Sequence, residues 1–220
     1  MVHMLDQQQS QISMLQNDHI SSIWVANIRV AEKAVPAIEV PWYKHGNVLT
    51  YLQHHPAVNK LDRAIDIACG LAGLHSVGIV HGNMHPGNML ITDNGRACIT
   101  DVGLYTSVIR TTRGHRLPIP LQWPYKSPEE LVNGVQTSYT DVYSFACTVY
   151  SMYTGRSPLV YVRDMQRIAE RGHGGLLAGS KPEGLSDAVW IVLNRCWAIH
   201  PASRPTMAAV EYELRKLGRN

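Results

Sequence analysis

The feature that most constrains this chain is the stretch from His81 to Gly103, which reads HGNMHPGNMLITDNGRACITDVG. Its centre, Asp93-Asn94-Gly95, predicts a hairpin turn, because a tight two-residue turn needs positive φ and Asn-Gly adopts it at low cost. The short apolar runs on either side, Met89 to Thr92 and Ala97 to Thr100, predict the paired strands. The hairpin therefore brings the residues just before and just after it to one edge of a small sheet.

Two oxygen-bearing side chains stand at that edge, the amide of Asn88 and the carboxylate of Asp101. Such a pair suits a hard divalent cation such as Mg²⁺, which takes few protein oxygens and keeps the others for water and phosphate. Polar residues at strand ends more often cap or turn the chain. A second interpretation therefore stands beside the metal site, in which both side chains satisfy backbone groups of the loop.

Five groups of residues occur in a fixed order along the chain. They are His81, Pro86 and Asn88; Asp101 and Gly103; Ser127-Pro128-Glu129; Asp141-Val142-Tyr143-Ser144-Phe145; and Cys196-Trp197 with Pro201 to Thr206. In the same order, they resemble the catalytic loop H-R-D-x-x-x-x-N, the metal-binding D-F-G, the A-P-E, the D-x-W-S-F and the C-W-x-x-x-P-x-x-R-P-T motifs of the eukaryotic protein kinases. The last of these motifs is typical of tyrosine kinases and tyrosine-kinase-like enzymes.

The resemblance covers residues 38 to 217 and implies an α+β, protein-kinase-like fold. Residues 1–40 would be a truncated small-lobe remnant, holding the end of the regulatory helix and two strands. Residues 41–47 would form the hinge, and residues 48–220 a mainly helical large lobe.

Residue patterns predict the elements of this fold. A ragged helical pattern runs from Met4 to Gln16, and Leu104 to Lys126 is an irregular segment that resembles an activation segment. The predicted strands are Ile23 to Val30 and Ala34 to Val40, and the predicted helices are Asn47 to Gln53, Leu61 to Ser76, Thr140 to Gly155, Val160 to Arg171, Leu185 to Ala198 and Thr206 to Leu217.

Composition narrows the class of protein. Hydrophobic residues make up 45% and charged residues 17% of the 220 residues, which describes a soluble globular chain. The net charge of +3 is too small to indicate a nucleic-acid or membrane partner. No apolar run approaches the ~20 residues of a membrane span. The four cysteines are widely separated in apolar stretches, which favours buried thiols in a reducing compartment, cytoplasmic or nuclear.

The candidate site departs from the kinase pattern where phosphoryl transfer needs a base. Asn83 occupies the position of the aspartate that accepts the substrate proton. An amide cannot take that proton near neutral pH, so a rate factor of roughly 10² to 10⁴ is forfeited. His85 replaces the lysine that steadies the γ-phosphate and is mostly neutral at pH 7. Gly82 replaces the arginine that would bind the phosphate group of a phosphorylated activation segment.

Two of the elements with which protein kinases bind the phosphates of ATP are also missing from these 220 residues. They contain no G-x-G-x-x-G loop and no V-A-I-K strand with its phosphate-binding lysine. The partner glutamate of that lysine would fall near Gln8 or Gln9. The resemblance implies ATP and Mg²⁺ as cofactors, with Asn88 and Asp101 as metal ligands and Leu90 beneath an adenine ring, but we expect ATP binding to be weak or absent.

Other matches are structural. The resemblance implies that Glu129 and Arg204 form a buried ion pair, that Asp141 accepts backbone N–H bonds from the catalytic loop, and that Gly103 keeps the turn after Asp101. His81 is expected to be a packed core histidine.

On these residues the leading hypothesis is a catalytically impaired, pseudokinase-like domain that binds or scaffolds another protein. One alternative is an active Ser/Thr or Tyr protein kinase that uses a substitute base or a small lobe outside this sequence. Another is a degenerate fragment without function.

Overall fold

The computed structural model describes residues 10–30, 32–102, 122–158 and 181–219. The predicted helix at 160–171, most of the segment 104–126, Gly103 and the positions of Gln8 and Gln9 lie outside the described residues. The elements are strands β1 (Trp24–Val30) and β2 (Lys33–Glu39), helices α1 (Val48–His54) and α2 (Lys60–Ser76), strands β3 (Met89–Ile91) and β4 (Ala97–Ile99), and helices α3 (Pro128–Asn133), α4 (Ser138–Thr154), α5 (Asp187–Cys196) and α6 (Met207–Leu217).

Strands β1 and β2 form an antiparallel hairpin whose register runs from the pair Trp24 and Glu39 to the pair Val30 and Lys33. A helical segment at residues 10–14 precedes it. Within the described residues this sheet has two strands. A lone hairpin contributes little independent stability in water. The bulk of the described core therefore lies in the helical part that follows.

Helix α4 is the centre of that part, because twelve of its seventeen residues are buried. Its hydroxyl groups are compatible with burial since they bond back along the helix, as Thr148 does to the Ser144 carbonyl at 2.9 Å. Helices α2 and α5 both contact α4, and α6 packs against α2 and α5. The largest fully buried side chains belong to Trp197, Tyr143, Phe145, Ile67, Leu71, Leu74, Met89, Ile91, Ile99, Leu193 and Met207.

Helix α4 begins earlier than the sequence predicted, at Ser138 and not at Thr140. The reason is a capping interaction, in which the Thr137 N–H donates to Thr140 Oγ1 at 3.1 Å and so places Thr140 in the third helical position. Gly155, at φ 67°, ends the helix and donates to the Ser151 carbonyl at 2.8 Å. The short helix α3 was not predicted as an element.

The turn between β3 and β4 also differs from the prediction of a two-residue turn. Thr92 N–H donates to the Arg96 carbonyl at 2.9 Å, which encloses three residues, and Gly95 alone among them has positive φ, at 77°. This geometry is that of the three-residue hairpin loop, in which glycine takes the left-handed position. The two strands pair as predicted, from Met89 with Ile99 to Ile91 with Ala97.

The α+β prediction is confirmed, with the β1–β2 and β3–β4 hairpins in the first half of the chain, helices α1 and α2 between them, and helices α3 to α6 in the second half. Among the described helices, none combines the length and apolar character needed to cross a bilayer. All four cysteines are free thiols, and burial raises the pKa of Cys196 to about 12.

Candidate catalytic loop

The loop from His81 to Asn88 is fixed to helix α4 by the carboxylate of Asp141. Asp141 Oδ2 accepts the backbone N–H of His81 at 2.8 Å, and Oδ1 accepts that of Gly82 at 2.9 Å. His75, in the last turn of α2, donates from Nε2 to Asp141 Oδ2 at 2.9 Å. Asp141 is 1% exposed, so these three donors replace the water that a carboxylate requires. The role of His75 was not foreseen, because a histidine at a helix end reads as solvated.

His81 is fully buried and its two ring nitrogens have different functions. Nδ1 accepts the backbone N–H of Asn83 at 3.1 Å, so in the neutral ring the proton is on Nε2. Nε2 then donates to the Thr100 carbonyl at 2.9 Å. Burial lowers the pKa of His81, against the opposing charge of Asp141. The ring is therefore a neutral bridge between the loop and the segment after β4, and both nitrogens are occupied.

Asn83 and His85 are neighbours at the centre of the loop. His85 Nδ1 accepts the Gly87 N–H at 3.1 Å, so the proton of the neutral ring is on Nε2. Nε2 lies 3.4 Å from Asn83 Nδ2, which places two donors face to face, while Asn83 Oδ1 is buried without a hydrogen-bond partner among the described residues. With the carboxamide turned by half a turn, Oδ1 accepts the Nε2 proton and the contact becomes a hydrogen bond.

His85 cannot replace the missing base at neutral pH. Burial, with smaller contributions from the positive charges of His81, when protonated, and Lys126, lowers its pKa to about 4. Its Nδ1 lone pair is already engaged by Gly87, and its Nε2 carries the proton. Neither ring nitrogen therefore has a free lone pair for a substrate proton. The side chains at the predicted positions of the catalytic aspartate and the phosphate-binding lysine are thus an amide and a neutral imidazole.

Asn88 and Asp101 lie at the same edge of the β3–β4 hairpin, where the Thr100 N–H donates to the Asn88 carbonyl at 3.0 Å. Asn88 Nδ2 donates to the Asn83 carbonyl at 3.0 Å, which fixes the amide and leaves Oδ1 as its acceptor end. Asp101 has φ 62°, a left-handed conformation that is uncommon for a residue other than glycine. Its carboxylate accepts one hydrogen bond within the described residues, from Thr100 Oγ1 at 3.4 Å.

The donor set fits Mg²⁺, the metal that the motif resemblance implies. One amide oxygen and one carboxylate are hard ligands, and Mg²⁺ commonly binds through one or two carboxylates plus phosphate and water. The described residues contain no cluster of three or more His, Cys, Asp or Glu, so a site held by protein side chains alone is not formed there. Asn88 and Asp101 would hold the ion, which would supply charge neutralisation for phosphate oxygens.

The segment proposed as a hinge, residues 41–47, is joined to β3. Gly46 accepts the Ile91 N–H at 3.0 Å, and Asn47 forms an antiparallel bridge with Leu90. Leu90 is half-buried between the buried residues Met89 and Ile91, so it points to the opposite face of the hairpin. An adenine ring that lay against residues 41–47 would therefore contact the side chain of Leu90.

A buried polar network that sequence reasoning missed lies on the other side of the loop. Lys126 Nζ donates to the Gly82 carbonyl at 3.0 Å and to Glu130 Oε1 at 2.6 Å. Gln136 Nε2 donates to the same two acceptors, at 2.7 and 2.8 Å. Burial raises the pKa of Glu130, against the opposing effect of Lys126. The four-residue spacing of Lys126 and Glu130 was an available signal, but it does not indicate Gly82 as the third partner.

The structure brings Glu129 and Arg204 together in a bidentate pair, with Nη1 to Oε1 at 2.6 Å and Nη2 to Oε2 at 2.9 Å. Arg204 also donates to the carbonyls of Ala198 at 2.8 Å and Tyr139 at 2.9 Å. Burial alone would raise the pKa of Glu129, but the hydrogen bonds and charge of Arg204, together with hydrogen bonds from the Glu129 backbone and Ser127, outweigh it and lower the pKa. The pair fastens α3 to the segment that leads into α6.

Comparison with known proteins adds a family to this geometry. The model of the family described as "Protein tyrosine and serine/threonine kinase" matches residues 3–214. The tyrosine-protein kinase transforming protein RYK of avian retrovirus RPL30 is 27% identical over an alignment of 195 residues that covers 83% of this chain. The tyrosine-protein kinase receptor TYRO3 of Mus musculus is 23% identical over an alignment of 215 residues that covers 90% of this chain.

A bacterial protein is similar to the same extent. The serine/threonine-protein kinase PknK of Mycobacterium bovis is 28% identical over an alignment of 209 residues that covers 91% of this chain. The chain spans 43%, 24% and 19% of the lengths of RYK, TYRO3 and PknK respectively. Both tyrosine and serine/threonine kinases are thus among its relatives.

Proposed function

This chain belongs to the protein tyrosine and serine/threonine kinase family, and we propose that it is a catalytically impaired, kinase-fold domain that binds another protein. The fold is protein-kinase-like, with strands β1 and β2 followed by a mainly helical part. The single observation that carries the proposal is the Asn83 carboxamide beside His85, a pair in which neither member can accept a substrate proton at pH 7.

The order of the loop strengthens this interpretation. His81 and Gly82 are held by hydrogen bonds to Asp141, and the Asn88 carbonyl accepts the Thr100 N–H, so the loop has the ordered backbone of a working site without its base. Within the 220 residues, neither a Gly-rich loop nor a V-A-I-K lysine supplies a grip on the triphosphate. Catalysis of phosphoryl transfer consists mostly of positioning and charge stabilisation. The absence of the base and the absence of these phosphate-binding elements therefore both slow the transfer step.

Phosphate transfer tests the proposal directly. The purified chain is incubated with labelled ATP, Mg²⁺ or Mn²⁺ and generic protein substrates, next to the Asp101→Ala variant and a control, Asp93→Ala. Asp93 is an exposed carboxylate of the hairpin turn, paired with Lys44. We expect all three proteins to give the same background. Transfer that is lost in Asp101→Ala and retained in Asp93→Ala would establish an active enzyme.

Nucleotide binding is a separate measurement. A ligand that binds only the folded state raises its stability by RT ln(1 + [L]/Kd). We expect little or no shift in the melting temperature at millimolar ATP with Mg²⁺, because these 220 residues contain neither the Gly-rich loop nor the V-A-I-K lysine. A rise of several degrees that disappears in Asn88→Ala would contradict this and support a nucleotide-dependent function.

The proposed partner protein would cover the surface around β1, β2 and the segment that follows them. Among the described side chains up to residue 47, four large apolar ones are exposed, including Trp24 at 50% and Trp42 at 89%. Exposed apolar groups in one region are typical of interaction surfaces. A Trp24→Ser, Trp42→Ser double variant should lose co-purifying partners that an Ile191→Ser variant, altered at an exposed site on α5, retains. The free thiols support a reducing, cytoplasmic or nuclear location.

A further inference from the structure

The backbone of Gly82 is held from both sides. Its N–H donates to Asp141 on helix α4, and its carbonyl accepts two side-chain donors, Lys126 Nζ at 3.0 Å and Gln136 Nε2 at 2.7 Å. These two donors come from residues on either side of α3. Because the peptide groups before and after Gly82 are bound to separate elements, neither can rotate without breaking one of these contacts.

The two donors are themselves joined through Glu130. Its Oε1 accepts Lys126 Nζ at 2.6 Å and Gln136 Nε2 at 2.8 Å, which closes a ring of four hydrogen bonds. The side chains of Lys126 and Glu130 are 7% and 8% exposed. A buried ion pair is strongly unfavourable to separate, because each charge would then lie in a poorly solvated place without its counter-charge. The ring is therefore a rigid support.

Gly82 itself is suited to this arrangement. Its φ of 75° lies in the left-handed region, which glycine adopts without the steric cost that a side chain brings. The sequence resemblance placed at this position an arginine that answers a phosphorylated activation segment. In this chain the backbone carbonyl of Gly82 makes the contacts at this position. Its partners are the side chains of Lys126 and Gln136, and no phosphate group takes part.

We propose that Lys126, Glu130 and Gln136 form a clamp that holds the loop from His81 to Asn88 in one conformation without a bound ligand or a phosphorylated residue. The three are positioning residues, since they act through the Gly82 carbonyl. The inference concerns the order of the loop and does not depend on whether the chain transfers phosphate.

Native-state hydrogen exchange tests the clamp, because it separates local opening from global unfolding. The full chain is produced unphosphorylated, as verified by intact mass. In this protein the amides of His81 and Gly82, both donors to Asp141, should be protected to within about tenfold of the core amides of α4. Exchange at these two amides as fast as in exposed loops would overturn the proposal.

Variants then identify the residues responsible. Lys126→Met keeps the length of the side chain and removes the charge, and we expect it to accelerate exchange at His81 and Gly82 at least about tenfold more than at amides of α5. Lys126→Arg, which retains charge and donors, should restore most of the protection. The control Val189→Ala, at a buried site on α5, should lower global stability without this selective acceleration.

A milder variant covers the case in which Lys126→Met does not fold. Gln136→Leu removes one donor to Gly82 and leaves the ion pair of Lys126 and Glu130 in place. Selective acceleration at the His81 and Gly82 amides supports the clamp in either variant. Acceleration by the same factor at these amides and in α5 contradicts it, because the network would then contribute only to global stability.

Discussion

The guanidinium of Arg204 and the carboxylate of Glu129 meet in two parallel hydrogen bonds, at 2.6 and 2.9 Å, and the arginine side chain is completely buried. An arginine without its carboxylate would leave a buried charge unpaired. Glu129→Gln should therefore lower the free energy of unfolding by about 3 to 5 kcal/mol, measured by urea denaturation.

An exposed pair in the same chain is the matched control. Arg195 and Glu213 are paired on the surface, with side chains 47% and 37% exposed. Glu213→Gln should cost less than about 1 kcal/mol, because solvent screens such a pair. Equal losses in Glu129→Gln and Glu213→Gln would show that burial of the Arg204 pair adds nothing to stability.

The carboxylate of Asp141 is expected to be the strongest single anchor of the loop. Asp141→Ala leaves the N–H groups of His81 and Gly82 buried without an acceptor, at about 1 to 3 kcal/mol for each group. Together with the lost His75 contact, the free energy of unfolding should fall by roughly 3 to 5 kcal/mol. Denaturation of this variant is compared with that of Asp187→Ala, whose carboxylate is 87% exposed and which should change stability by no more than about 0.5 kcal/mol.

The sequence was informative where a signal is local. The hairpin of β3 and β4 could be predicted because its turn residues and apolar runs lie within a dozen positions, although the turn length could not, since Asn94 and Gly95 are compatible with both loop types. The position of His81 in the core and the ion pair of Glu129 and Arg204 were expected from motif order and not from periodicity.

The clamp could not be predicted for a physical reason. Lys126, Glu130 and Gln136 are polar residues near a short helix, and such residues are usually solvated. Their burial results from the approach of the Gly82 carbonyl, which is distant in sequence and carries no side chain. Asp66 on α2 is a second case, because it is buried and accepts the backbone N–H of Ala97 on β4 at 3.0 Å, a contact without any sequence signal.

Asp101 is expected to retain a strained backbone at a cost in stability. Its φ of 62° favours glycine, and a left-handed conformation costs other residues about 1 to 2 kcal/mol, less for Asp than for Ala. Asp101→Ala should therefore lower the free energy of unfolding by about 1 kcal/mol, and Asp101→Gly should leave it equal or higher. Melting curves of the three proteins without metal give the comparison, and a Gly variant less stable than the Ala variant would show that φ does not decide the order.

The depressed pKa of His85 predicts a stability that falls in mild acid. Because burial lowers this pKa from 6.5 to about 4, the unfolded chain binds a proton at His85 more readily than the folded chain does. Stability from this group is fully present above pH 6.5 and is lost as the pH falls towards 4, by up to about 3 kcal/mol. Urea denaturation between pH 4 and 7.5 should show a steeper decline for the wild type than for His85→Gln. The difference between the two curves isolates the contribution of His85, since His81 and the carboxylates titrate in both proteins. Parallel curves would contradict the prediction, because His85 would then be protonated equally well in the folded and unfolded chains.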